Sequence, residues 1–159
     1  MPHLRLKNDK SFYTFVDQIQ EVYNFLDISD NLYETICRLS ISTPLTESKH
    51  VDQAIDYFDI FEVDSVISVV EEFSTCYSHI KNGLKELNQN DLTKTRMERD
   101  SIYIDNGAIT LFKTKNLFTD NIYGQNIGHI SMLPSESLKL NTSFDFWLAE
   151  KILKEGFNL

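Results

Sequence analysis

VDSVISVVEEFSTCYSHIKNGLKEL, residues 63–87, is the stretch on which the reading of this chain turns. Val63, Val66, Val70, Phe73, Tyr77, Ile80, Leu84 and Leu87 recur at alternating steps of three and four. That spacing lines apolar side chains along one face of a helix. The stretch therefore reads as a long helix over about 64–88, packed along its seam on a neighbouring helix or, less simply, on a second copy of the chain. Glu72, Cys76 and His79 fall on one face of the same helix. They have the chemistry to bind zinc or to pair a thiol with an imidazole. The simpler reading makes Cys76 a small apolar side chain, with Glu72 and His79 at the core boundary.

Upstream, residues 49–61 read as another helix. Ala54, Tyr57, Phe58 and Phe61 take its inner side, while Asp52, Asp56 and Asp59 lie within about 60° of one another on the outer side. The chain breaks near 62–64, where Glu62 and Asp64 extend the acidic stripe. Residues 10–27 form an amphipathic helix with Phe12, Phe15, Val16, Ile19, Val22, Tyr23 and Leu26 as its stripe. A shorter helix follows Asp30, with Leu32, Ile36 and Leu39. The segment STPLTESK (42–49) is a loop, because Pro44 disfavours helix before it.

Downstream the period changes. SIYIDNGAITLF (101–112) reads as a β-hairpin turning at Asn106-Gly107, with Ile104 facing Ile109 and Ile102 facing Leu111. GHISML (128–133) is a third strand. The loop between carries Phe118 and Tyr123 as aromatics of possible functional use. A closing helix over 143–155 is capped by Thr142 or Ser143, presents Phe144, Trp147, Leu148 and Ile152, and stops at Gly156. The expected fold is α+β in one domain, 1–159. It has a helical N-terminal half of about four helices, a small antiparallel sheet with a hairpin at 101–113, and a closing C-terminal helix.

Charge is the strongest functional signal. The chain of 159 residues has a formal net charge of −9. Residues 50–80 hold seven carboxylates and no Lys or Arg. This argues against direct nucleic-acid binding and against anionic membranes. No apolar run reaches the ~20 residues of a membrane span, and the first residues lack a signal-peptide core. The expectation is a cytoplasmic chain, monomer or homodimer, with Cys37 and Cys76 reduced. No phosphate-binding glycine loop, G-x-S-x-G, H-E-x-x-H or EF-hand pattern occurs, so no cofactor, metal or catalytic residue is assigned.

The function expected from these features is a non-enzymatic acidic interaction protein. It would bind and block a basic partner such as a nuclease or toxin, as immunity proteins and antitoxins do, through Asp52, Asp56, Asp59, Glu62 and Asp64. The acidic stripe spans about 10 Å, where B-DNA would carry a charge every ~1.7 Å. It suits a basic cleft better than it imitates a duplex. The alternative is a small enzyme or ligand-binding domain. Its site would lie between the sheet and the long helix and use His79, His129 or Tyr103.

Overall fold

The computed structural model describes residues 15–25, 33–87, 95 and 101–156. In chain order the elements are α1 (Phe15–Phe25), β1 (Thr35–Leu39), α2 (Ser48–Phe61), β2 (Ser65–Glu72), β3 (Tyr77–Ile80), β4 (Gly83–Glu86), β5 (Ile102–Lys113), a 3-10 helix (Thr114–Phe118), β6 (Ile127–Ser131) and α3 (Ser143–Glu155). Helix and sheet are both present. The helical N-terminal half is not, because the described residues hold three α-helices and a four-stranded mixed sheet in the order β1-β5-β2-β6, plus the two-stranded sheet β3-β4. The first and last residues of the helix expected over 10–27, and most of the connection 89–100, lie outside the described residues.

The opening stretch is the largest correction. It forms strand β2 and the hairpin β3–β4, and no long helix. The heptad-like spacing picks out Val66 and Val70 but passes over Ile67 and Val69. Val69 is fully buried, while Val70 is only partly so. A strand with neighbours on both sides and cover on both faces reads as a nearly continuous β-branched run, and Val66–Val70 is such a run. The second half of the seam does not become core. Tyr77, Ile80, Leu84 and Leu87 are all exposed around the Lys81-Asn82 turn.

The described part of the second expected helix is also a strand, and Leu32 lies outside the described residues. Ile36 and Leu39 lie on β1, which pairs antiparallel with β5. The expected hairpin at 101–113 is one continuous strand of twelve residues. Ile104 pairs with Val70, Ile102 with Glu72, Ile109 with Leu39, and Leu111 with both Cys37 and Val66. Asn106-Gly107 does not reverse the chain. It forms an irregularity, since Ile67 faces Thr110 whereas Val69, two residues on, faces Asp105. The extra residues of β5 bulge out of the ladder there. Gly107 takes φ +69, a conformation that favours glycine, so the residue that suits a tight turn suits this bulge equally.

β6 pairs parallel with β2, and β5 runs against both β1 and β2. Strands β1, β2 and β6 therefore point the same way. Helix α2 connects β1 to β2 and covers one face, where Ala54 and Phe58 pack with Val66, Ala108, Leu111, Ile130 and Met132. The other face is closed by α1, whose Val16, Ile19 and Tyr23 meet Phe112, Leu117 and Ile122. Gly128 lets α2 approach β6, because a Cβ there would run into the Tyr57 ring. α2 ends at Glu62, which adopts the left-handed conformation at φ 50. The closing helix matches its expected span. Thr142 and Asp145 cap it reciprocally, and Phe144 and Trp147 remain exposed and stack on each other.

Candidate functional site at the carboxyl ends of the parallel strands

In open α/β sheets the ligand crevice lies outside the carboxyl ends of the parallel strands. Three segments meet at that end here: the loop after β1, the bulge in β5, and the run that follows β6. Ser40 N donates to Ala108 O at 3.0 Å, which ties the loop to the bulge. Leu140 N donates to Ser42 O at 2.8 Å, which ties it to the third segment. The Ser40 and Ser42 hydroxyls lie 2.8 Å apart, and Thr43 is buried beneath them.

Asn106 is the hub. Its side chain turns inward and is 8% exposed. Oδ1 accepts from Ser68 Oγ at 2.5 Å and from Ala108 N at 3.0 Å, and Nδ2 donates to Ser137 Oγ at 2.9 Å. Ser68 Oγ in turn accepts from Ile109 N at 2.8 Å. A buried amide with both ends satisfied is rigid, and it holds the bulge in one shape. Bulges of this kind are frequent beside active sites, where they re-aim side chains. Lys139 reaches over the bulge, so that a Cβ on Gly107 would lie 3.6 Å from its Nζ.

A second set of contacts pins the segment after β6 to the amino end of α2. Lys49 Nζ donates to Glu136 Oε1 at 2.7 Å, and Glu136 Oε2 accepts from Leu133 N at 3.0 Å. The Lys49 hydrogen bond first, and the Leu133 N–H as well, hold the Glu136 carboxyl below the usual carboxylate range. His50 is 2% exposed, and its Nδ1 accepts from Glu47 N at 3.0 Å. Its proton therefore sits on Nε2, which faces Glu136 Oε2 at 3.3 Å, near enough for attraction but off-line for a hydrogen bond. A cleft of about 540 Å³ opens beside this contact, lined by Pro44, Leu45, Leu133, Ser135 and Leu153 among others.

The residues singled out in the sequence lie elsewhere. Asp52, Asp56 and Asp59 are exposed on the outer face of α2, and Glu62 is its C-cap. Asp64 belongs to the opposite end of the sheet. It pairs with Lys113 at 2.9 Å and accepts from the backbone N–H of Gln125 and Asn126, which lowers its pKa to about 2. Glu72, Cys76 and His79 share no helix face, because no helix forms there: Glu72 ends β2 and His79 lies on β3. Among the described residues no group of His, Cys, Asp and Glu is arranged to hold a metal ion. Tyr103 and His129 do come together, with ring centroids 4.5 Å apart. Phe118 and Tyr123 serve packing, against Tyr23 and in the second core respectively. Ser40, Ser42, Ser137 and Lys139 were not foreseen as site residues. Asn106-Gly107 was the one visible signal, and it was read as a turn.

No helix among the described residues is long and apolar enough to cross a membrane. No protein-family profile matches the chain. It is 25% identical over 127 residues to post-translational flagellin modification protein B of Campylobacter coli, covering 77% of this chain and 54% of that protein. It is 26% identical over 130 residues to N-acylneuraminate cytidylyltransferase of Streptococcus agalactiae, covering 76% of this chain and 30% of that protein. The chain thus spans about half of the first of these relatives and less than a third of the second. Among solved structures, the 4-diphosphocytidyl-2C-methyl-D-erythritol synthase of Anaerococcus prevotii matches with a TM-score of 0.55 at 13% identity, over 84% of this chain and 64% of that one. That last likeness is one of fold. The similarities to a flagellin modification protein and to a named cytidylyltransferase overturn the reading of a non-enzymatic inhibitor, immunity protein or antitoxin, and the solved structure agrees with them in fold.

Proposed function

We propose that this chain carries a nucleotidyltransferase-like domain whose crevice at Asn106 holds substrate during transfer of a cytidylyl group to a sugar-like acceptor. The observation that supports this reading best is the convergence of three separate segments on a bulge at the carboxyl ends of the parallel strands. That crevice belongs to a fold shared with an enzyme whose name contains a diphosphocytidyl product, in a chain similar to a named cytidylyltransferase.

In such a transfer an acceptor oxygen attacks the α-phosphorus of cytidine triphosphate. A new P–O bond forms, the bond to pyrophosphate breaks, and the acceptor proton passes to solvent. Catalysis of this type consists mostly of positioning and of stabilising charge on the phosphate oxygens. The crevice offers hydroxyls at Ser40 and Ser42, a rigid base fixed by Asn106, and the Lys139 ammonium. No general base is assigned.

The test is pyrophosphate release from cytidine triphosphate, measured with N-acylneuraminate and with other acidic sugars as acceptors, for the wild type and Asn106→Ala. Acceptor-dependent release that falls in the variant supports the proposal. Binding without turnover narrows it to substrate binding. Neither binding nor release with any acceptor overturns it.

A further inference from the structure

We infer that the crevice holds the anionic phosphate part of its ligand on Lys139, above Gly107, and does so without a carboxylate-bound divalent cation. The inference rests on the proposed function for the identity of the ligand, but its geometry is independent of it.

Lys139 is placed from both sides. Two residues before it, Ser137 Oγ accepts from Asn106 and donates to Leu133 O at 2.9 Å. One residue after it, Leu140 N is tied to Ser42 O. The short run between these anchors has little freedom, and it carries the ammonium over the bulge. Gly107 has no side chain to stand between that ammonium and the backbone of the bulge. Lysine is a compact point charge with three donors, well matched to a phosphate oxygen.

Three of the described carboxylates near this end of the sheet hydrogen-bond within the chain, and the first, Glu71 Oε1, accepts from Ser131 Oγ at 3.2 Å. Asp105 Oδ1 accepts from Gly107 N at 2.7 Å, shaping the bulge itself. Asp145 Oδ2 accepts from Asn141 N, Thr142 N and Thr142 Oγ1, and these bonds hold the start of α3. A magnesium ion is commonly held by one or two protein carboxylates together with substrate phosphates. Among the described residues, the other groups gathered at the bulge, Ser40, Ser42, Asn106 and Ser137, are neutral hydroxyls and an amide, so the positive charge offered to the anion there is that of Lys139.

The probe is inorganic pyrophosphate, titrated calorimetrically into the full chain, once with magnesium and once with EDTA. Wild type, Lys139→Ala and Lys139→Arg are compared. The expected result is binding that persists in EDTA, weakens by about tenfold or more in Lys139→Ala, and is largely restored in Lys139→Arg. Equal affinity in Lys139→Ala, binding only when magnesium is present, or no binding of pyrophosphate by the wild type each overturns the inference. Failure of the functional reading looks different: a chain that holds pyrophosphate on Lys139 yet transfers no cytidylyl group keeps this inference and loses the other. Transfer that survives Lys139→Ala does the reverse.

Discussion

The two ends of α2's role in the molecule make an instructive contrast. At its amino end, His50 and Lys49 meet Glu136 and fix the segment that carries Ser137 and Lys139. Along its outer face, Asp52, Asp56 and Asp59 point to solvent. The second region is dense in charge along the sequence, and in the structure Asp56 borders an open groove that it shares with His129, Ile130 and Ser131 of β6. The first region is almost silent in the sequence, yet it brings together groups from residues 40 to 140. Charge density along a chain measures local composition, and a site is measured by convergence in space.

Substitutions can break or sharpen that contrast. The largest expected effect is at Asn106→Ala. The change takes away the acceptor shared by the buried Ser68 hydroxyl and the Ala108 N–H and the donor to Ser137 Oγ, and it should cost about 3 kcal/mol of stability by denaturant titration. Loss of ligand binding at temperatures where the variant remains folded should accompany it. A variant as stable as the wild type would show that the bulge is not held by this amide.

Glu136→Gln comes next. It removes the charge that pairs with Lys49, a half-exposed partner, so the stability cost should be near 1 kcal/mol. Affinity for cytidine triphosphate should nevertheless fall, because the run carrying Lys139 loses its anchor to α2. A stability loss with unchanged affinity would separate the ion pair from the crevice.

Asp64→Asn probes the opposite end of the sheet. In the folded chain Lys113 first, then the N–H groups of Gln125 and Asn126, hold this carboxyl at about 2, against an ordinary 3.8. Between those values the unfolded chain binds more protons than the folded one, so stability rises with pH. The wild type should therefore exceed the variant at neutral pH, and the gap should close as pH falls from 3.8 towards about 2. Melting temperatures measured across that range check it, and a gap independent of pH would remove the ion pair from the account. The crevice should be unaffected throughout.

The smallest effect is expected from the double charge reversal Asp56→Lys with Asp59→Lys. Both residues are exposed, so stability should change by no more than about 0.5 kcal/mol, and crevice binding should stay as it was. Abolition of ligand binding by this variant would restore the outer face of α2 to a functional role.

How much of this was legible beforehand depends on the element. Helix α2 and helix α3 were readable because each has one buried face and one solvated face, and α3 has Thr142 and Asp145 at its start. Strand β6 was readable as a short apolar run with His129. β2 was not, because its two faces are both covered and its residues fit a 3-4 spacing by accident. β5 was misread for a more particular reason. Asn106-Gly107 is the strongest short hairpin signal, and the same two residues satisfy a bulge when a buried Ser68 and Ser137 are there to receive the Asn side chain. Those partners lie 38 and 31 residues away in the chain, beyond any local pattern. Tyr103 and His129, which the sequence offered as alternatives for the second reading's site, lie against each other, although the long helix meant to enclose that site does not form. The crevice itself was invisible, since hydroxyls, one amide and one lysine are ordinary loop residues until the fold assembles them.

The central claim is that ligand meets this chain at the carboxyl ends of β1, β2 and β6. The most direct test is a titration of the ¹⁵N-labelled chain with cytidine triphosphate, followed by amide chemical shifts. The account predicts shifts clustered at Ser40–Thr43, Asn106–Ala108 and Ser137–Leu140, with the outer face of α2 unchanged. Shifts confined to the region of Asp52, Asp56 and Asp59, or no shifts at all, would contradict it.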